Sequence, residues 1–223
     1  MRAPQIILAT VAASALAVGV VAAQSQAPTN APGTPAASAP TASVSQKAEL
    51  RTAMRKLWED HITYTRNAII SLLGSLPDVD AVSVRLMKNQ EDIGNAVKPY
   101  YGNDAGTKLT GLLKEHISEA VDVVKDAKAG DKTKLAADQK KWSDNGKQIA
   151  DFLAAANPNW DKAMLEQMLQ KHLDLTTGEV TNRLAKNWTA DIKSYDDGHD
   201  HMLMFSDTLS DGIVKQFPAK FTS

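Results

Sequence analysis

The chain has no cysteine. That excludes disulfides, thiolate metal sites, haem attached through Cys-x-x-Cys-His, and lipoprotein processing. Neither charge sign is in excess: the formal net charge is −1 over 223 residues, and −2 once Arg2 is removed. With no basic surplus, no polybasic patch and no nucleic-acid-type aromatic pattern, nucleic acid and anionic membrane are poor partners. No alternating apolar run is long enough for a strand, so no sheet is expected. The glycine loops that cradle phosphate are missing, as is the Gly-x-Ser-x-Gly elbow of serine hydrolases. No apolar run reaches the length of about 20 residues that a membrane span needs.

The N-terminus has the form of a secretory signal peptide over residues 1–23. Arg2 is a short positive region, residues 6–21 are an Ala- and Val-rich apolar run, and Val21-Ala22-Ala23 offers small residues for cleavage. The mature chain is expected to start near Gln24 and to reside in the periplasm or outside the cell, with no membrane insertion after cleavage. An anchor retained at the N-terminus is the alternative. Residues 24–45 carry no charge and repeat Pro, Ala, Ser and Thr, with Pro28, Pro32, Pro35 and Pro40 opposing a helix. This composition reads as a disordered linker. Residues 46–223 are then one domain of ordinary size.

Within that domain the apolar spacing is helical throughout. Leu57, His61, Tyr64, Ala68 and Leu72 give a helix over about 48–76, broken at Pro77-Asp78, where Asp78 is placed to cap the next. Val82, Leu86, Ile93 and Val97 give a second, stopped at Pro99-Tyr100-Tyr101-Gly102. Leu109, Leu112, His116, Ala120 and Val123 give a third, ended by Ala129-Gly130-Asp131, a C-cap followed by an N-cap. Trp142, Asn145, Ile149 and Phe152 give a fourth, ended by Asn157-Pro158. Met168, His172, Leu175, Glu179 and Arg183 give a fifth. Met202, Phe205, Leu209 and Ile213 give a last helix over about 187–216. The expected fold is an all-α antiparallel helical bundle: a four-helix core with extra helices, or six helices up and down.

Histidine placement is the strongest functional feature. His61, His116 and His172 each lie on the apolar stripe of a different helix, and His199 and His201 lie in a further one. An imidazole facing a helical core needs a hydrogen bond, a carboxylate, a metal or a cofactor. Four helices each sending one inward would converge on a polar centre. The candidate metal ligands are His61, Asp92, His116, His172, Glu179, His199 and His201. Neutral imidazole with carboxylate suits Zn, Fe, Mn or Cu, and a small polar ligand is the other candidate. His199, His201, Met202 and Met204 point to copper in particular, although Met202 also fits the core stripe. Non-covalent haem is a lesser reading. The local signal is incomplete: there is no His-Glu-x-x-His, and Asp196-x-x-His199 is a single approximation to the paired motif of di-iron bundles. Glycines at 94, 146, 178 and 198 lie within two residues of Asp92, Asn145, Glu179 and His199. Each costs a helix about 1 kcal/mol relative to Ala. They allow close approach of a backbone or a ligand.

The set Leu57-Trp58-Glu59-Asp60-His61, Asn89 with Asp92, Lys98-Pro99-Tyr100-Tyr101-Gly102, Ala127-Lys128-Ala129-Gly130-Asp131, Lys171-His172-Leu173-Asp174-Leu175-Thr176 and 209–217 resembles an uncharacterised family of bacterial helical-bundle proteins. The resemblance spans about 57–217. Relatives bear names such as acetylglutamate kinase or glycosyltransferase, activities that imply α/β nucleotide-binding folds and so do not transfer to this helical pattern. It implies no reaction and no catalytic residues. Three function classes follow from the residues: an exported binding protein with an inward His/Asp cluster, a metal-dependent enzyme using the same cluster, and an interaction module whose histidines are only hydrogen-bonded. Processing is directly testable. Intact-mass measurement on protein from the native host should show a chain starting near Gln24, and a cytoplasmic chain still beginning at Met1 would refute export.

Overall fold

In a computed structural model of the chain, local chemistry provides for the unpaired backbone groups at most helix ends. The structure describes residues 45–221, so the expected signal peptide and all but Ser45 of the linker lie outside the described residues. Helix α1 is Gln46–Gly74, capped by the Ser45 hydroxyl accepting from Ala48 N–H at 3.3 Å and closed by left-handed Ser75, φ 50°. Helix α2 is Val79–Ala129, ended by left-handed Gly130. Helix α3 is Lys132–Ala156, capped by Asp131, and α4 is Lys162–Leu184, capped by Asp161. Helix α5 is Trp188–Gln216, capped by Asn187, and a 3₁₀ turn at Pro218–Phe221 follows. Asp78 precedes α2 but makes no side-chain capping bond, contrary to the expectation from sequence.

The expected stop at Pro99–Gly102 takes an unexpected form. Helical structure runs on past Pro99, and the break is confined to Gly102, with φ 84° and ψ 170°. That conformation is open to glycine and strained for other residues. The two arms, 79–101 and 103–129, then fold back on each other. Lys114 pairs with Glu91 at 2.6 Å, and Leu86 packs on Ile117. At the closest approach, a Cβ on Gly94 would lie 2.6 Å from the Gly106 carbonyl and overlap Thr110; one on Gly106 would meet the Gly94 carbonyl at 2.5 Å. These two glycines let two backbones touch.

The chain is thus all-α, with no strand among the described residues. Five helices make six rods, and partner numbering shows their directions. From α1 to α5, Arg51, Arg55 and Arg66 meet Asp211, Asp207 and Asp191, so the two run antiparallel. Asp60 meets Arg85 and Leu57 meets Asn89 across α1 and the first arm. Leu112 and His116 of the second arm meet Asn145 of α3, Ser143 meets Gln170 of α4, and Met168 meets His201 of α5. Each short connection reverses the chain.

At one end lies the largest apolar cluster, in which Met54, Ile93, Leu109, Ile149, Leu165 and Phe205 represent all six rods. At the other end sit smaller clusters, Ala68–Leu86–Ile117 and Ile69–Val124–Val180. Each fully buried aliphatic or aromatic side chain contributes about 1.5–3 kcal/mol, and without disulfides this packing is the main source of stability. No helix among the described residues is long and apolar enough to cross a membrane.

Gly94→Ala should lower stability by about 1–3 kcal/mol, the usual effect of forcing atoms into a packed contact. Gly111→Ala adds a Cβ that meets nothing within 4 Å, and should raise stability by up to about 1 kcal/mol. Urea unfolding of both variants checks this; a Gly94 variant as stable as wild type would refute the close contact between the arms.

Candidate functional site: a buried imidazole layer

Midway along the bundle the apolar core gives way to a polar layer fed by five of the six rods. His61 comes from α1, Asn89 and Gln90 from the first arm of α2, His116 from the second, Asn145 from α3 and His172 from α4. Met202 and Phe205 of α5 close it on the remaining side. The three histidines are 2–3% exposed and the three amides at most 1%. Their rings form a row. Trp58 meets His61 at 5.6 Å, His61 meets His172 at 5.6 Å, His172 meets His116 at 5.9 Å, and His116 meets Trp142 at 5.3 Å between centroids.

Hydrogen bonds orient the row at one end only. The Asn145 amide N–H donates to Leu112 C=O at 3.1 Å, which turns its oxygen toward His116 Nδ1, 2.9 Å away. His116 therefore carries its proton on Nδ1, and Nε2 holds the lone pair. This tautomer, held by a second group, is the one found in metal-ligating histidines. Asn89 donates to Leu57 C=O at 2.9 Å, and Gln90 donates to Leu86 C=O at 2.8 Å. Against these, Nδ1 of His61, Nδ1 of His172 and Oε1 of Gln90 have no hydrogen-bond partner among the described residues. A buried polar atom left unpaired costs about 1–3 kcal/mol.

Burial also decides its charge. It lowers His61 to about 3, with the nearby His116 adding to the effect and Gln90 opposing it. It lowers His116 to about 4, opposed by Asn145. It holds His172 well below the ordinary histidine value, reinforced by His61, His116 and His201. The layer is therefore neutral at physiological pH. Neutral imidazoles can coordinate a metal or share hydrogen bonds, but at such low pKa they are weak general bases near pH 7.

The other expected ligands stand elsewhere. Asp92 is on the outside of α2, held by Lys88 at 2.5 Å; its neighbour Ile93 takes the inward direction, fully buried. Glu179 is buried two turns along α4 from His172 and is committed to Arg66 at 2.7 Å. Burial raises its pKa, with Arg66 opposing. Arg66 also binds Asp191, which Arg183 binds in turn at 2.9 Å. Burial opposes ionisation of Asp191, but the two arginines prevail and its pKa is lowered. Two cations and two anions thus close a neutral network. His199 lies in the outer seam, 3.5 Å from Glu59 and 3.5 Å from Asp200. His201 bonds the Met168 carbonyl at 2.7 Å. Met202 is buried and Met204 is 57% exposed, so the His/Met group that pointed to copper diverges. Among the described residues no group of three His, Asp or Glu side chains is arranged to hold a metal ion.

Sequence reasoning named the three central histidines and Asn145 but missed Asn89 and Gln90 as layer members. A signal existed: the stripe of the second helix steps from Leu86 to Ile93, and the omitted positions are 89 and 90. The Arg66–Glu179–Asp191–Arg183 network had none, since its members come from three helices far apart in sequence. No family model, curated protein or solved structure matches this chain.

The layer makes stability depend on acid. Above about pH 6.5 the three histidines are neutral folded and unfolded, and contribute nothing to the dependence. Below it the unfolded chain binds protons that the folded layer refuses, so stability falls as pH drops from about 6.5 toward about 4, where His116 itself begins to protonate. Each histidine costs about 1.4 kcal/mol per pH unit in that window. Urea unfolding at stepped pH should show uptake of about three protons per chain on unfolding near pH 5, reduced in a His172→Leu variant. A flat profile between pH 6.5 and 4.5 would refute a neutral layer.

Proposed function

We propose that the chain is an exported binding protein whose ligand site is the central layer of His61, His116 and His172, with one transition-metal ion as the ligand and a small polar molecule as the other candidate. The carrying observation is a pair of unpartnered ring nitrogens, Nδ1 of His61 and Nδ1 of His172, buried in one row of three imidazoles. Zn or Cu suits neutral imidazole best, with Fe and Mn next. Rotation of side chains about their existing positions would be needed to aim three nitrogens at one ion. Asp92 and His199 are outside this reading because they face away from the layer. The signal-like N-terminus with Arg2 and its apolar run supports export.

A second reading is favoured by the lack of a ready three-ligand arrangement among the described residues. In it the imidazoles bind nothing, and the protein is a helical interaction module with an acid-sensitive middle.

Thermal melts of the mature chain with and without Zn, Cu, Mn and Fe, together with elemental analysis, separate the two. The first reading expects one ion per chain, a raised midpoint, and loss of both in His61→Ala, His116→Ala and His172→Ala but not in Asp92→Asn or His199→Ala. Because burial keeps the layer neutral, affinity of the folded chain should hold below pH 6.5, down to the onset of acid unfolding. If no metal moves the wild-type midpoint, the metal reading is wrong.

A further inference from the structure

Gly146 has no packing reason to be glycine. Its backbone is ordinary helix, and a Cβ there would make only van der Waals contacts, at 3.8 Å to Leu173 and 3.9 Å to Leu169. Gly94, Gly106 and Gly212 differ: a Cβ on any of them would collide with a carbonyl, a side chain or the Trp160 ring. Alanine would fit at 146 and favour the helix.

What the missing side chain leaves is space. A groove of about 260 Å³ runs along the seam of α3 and α4 directly over Gly146, with Leu169 and Leu173 as its floor. Behind that floor, Leu173 packs in one cluster with Trp142, whose ring lies 5.3 Å from that of His116. Asn145, next in sequence, holds His116; Trp142, one turn back, stacks on the same ring; His172 adjoins Leu173. The rim is polar, with Ser143, Glu166, Gln167 and Gln170 supplying oxygen groups beside Lys147. One hydrogen bond crosses it, from the Ser143 hydroxyl to Gln170 Oε1 at 2.9 Å, and it is exposed to water. Such a bond is replaced by water at little cost when the seam opens. The larger hollow near Gly111 differs in kind. All its lining, from Asp104 to Glu115, belongs to the second arm of α2, so it is a dent in one rod and not a seam between two.

We infer that the α3–α4 seam over Gly146 is the route by which solvent and small cations reach His116 and His172, and that the absent side chain at Gly146 keeps it open. The cation part of this rests on the reading of the layer as a metal site; the solvent part does not.

Deuterium exchange at the histidine Cε1–H, followed by NMR on the mature chain, tests the solvent route without any metal. Gly146→Leu should slow exchange at His116 and His172 several-fold while leaving half-buried His199, in the outer seam, unchanged, and Gly146→Ala, the gentler variant, should slow it less. Gly111→Ala is the control, since it stabilises a helix away from the seam. Equal slowing in the Gly111 variant would mean that access comes through global opening, and would overturn the route. Unchanged exchange in both Gly146 variants would do the same. If Zn binds wild type, stopped-flow association should slow in Gly146→Leu with the Kd little changed. If Zn does not bind wild type, the metal reading fails, and the exchange comparison still decides the route.

Discussion

Charging an imidazole inside a packed helical core is unfavourable, and three such rings share the middle of this bundle. Every charge identified as acting on His61 and His172 comes from another histidine, which disfavours protonation further. The layer persists because the apolar packing at both ends holds the rods together around it. It stays neutral because burial outweighs the amides beside it, of which Asn145 makes the best-defined contact.

That constraint organises the other polar features. Among the described residues, buried carboxylates are confined to the Arg66 network, where two arginines and two carboxylates cancel, and it sits two turns from His172 along α4. Separating the two keeps cations and anions away from rings that must remain uncharged. The same separation removes Glu179 from the set of ligands the layer can use. The neutral layer of imidazoles and amides that is left fits the proposed transition metal or hydrogen-bonding ligand, and poorly suits hard, oxygen-seeking cations such as Mg or Ca.

Helix extents were largely legible because capping and apolar periodicity are local. Gly130-Asp131, Asn157-Pro158 and the start near Asn187 mark ends that agree closely with the structure. Asp78 failed as a cap because composition shows that a carboxylate is available but not where it points. The stop expected over Pro99–Gly102 falls at its last residue, Gly102, where φ 84° is accessible without strain. In the site, His61, His116 and His172 were legible because a polar residue on an apolar stripe must face inward. Asp92 was misplaced because its neighbour Ile93 occupies that direction; consecutive helical residues point about 100° apart, so only one of the two can do so.

The sequence by itself determined the all-α class, the reversals of the chain and the inward facing of His61, His116 and His172, since these follow from spacing along single helices. Only the tertiary structure decided which inward residues meet. Axial level is set by how six rods slide and pack, through contacts such as Gly94 on Gly106 and Arg55 on Asp207. That packing put three rings in one row, sent Glu179 to Arg66, left His199 in an outer seam and placed an open groove over Gly146. None of these follows from local spacing, because each depends on residues that are distant in the chain and adjacent in space.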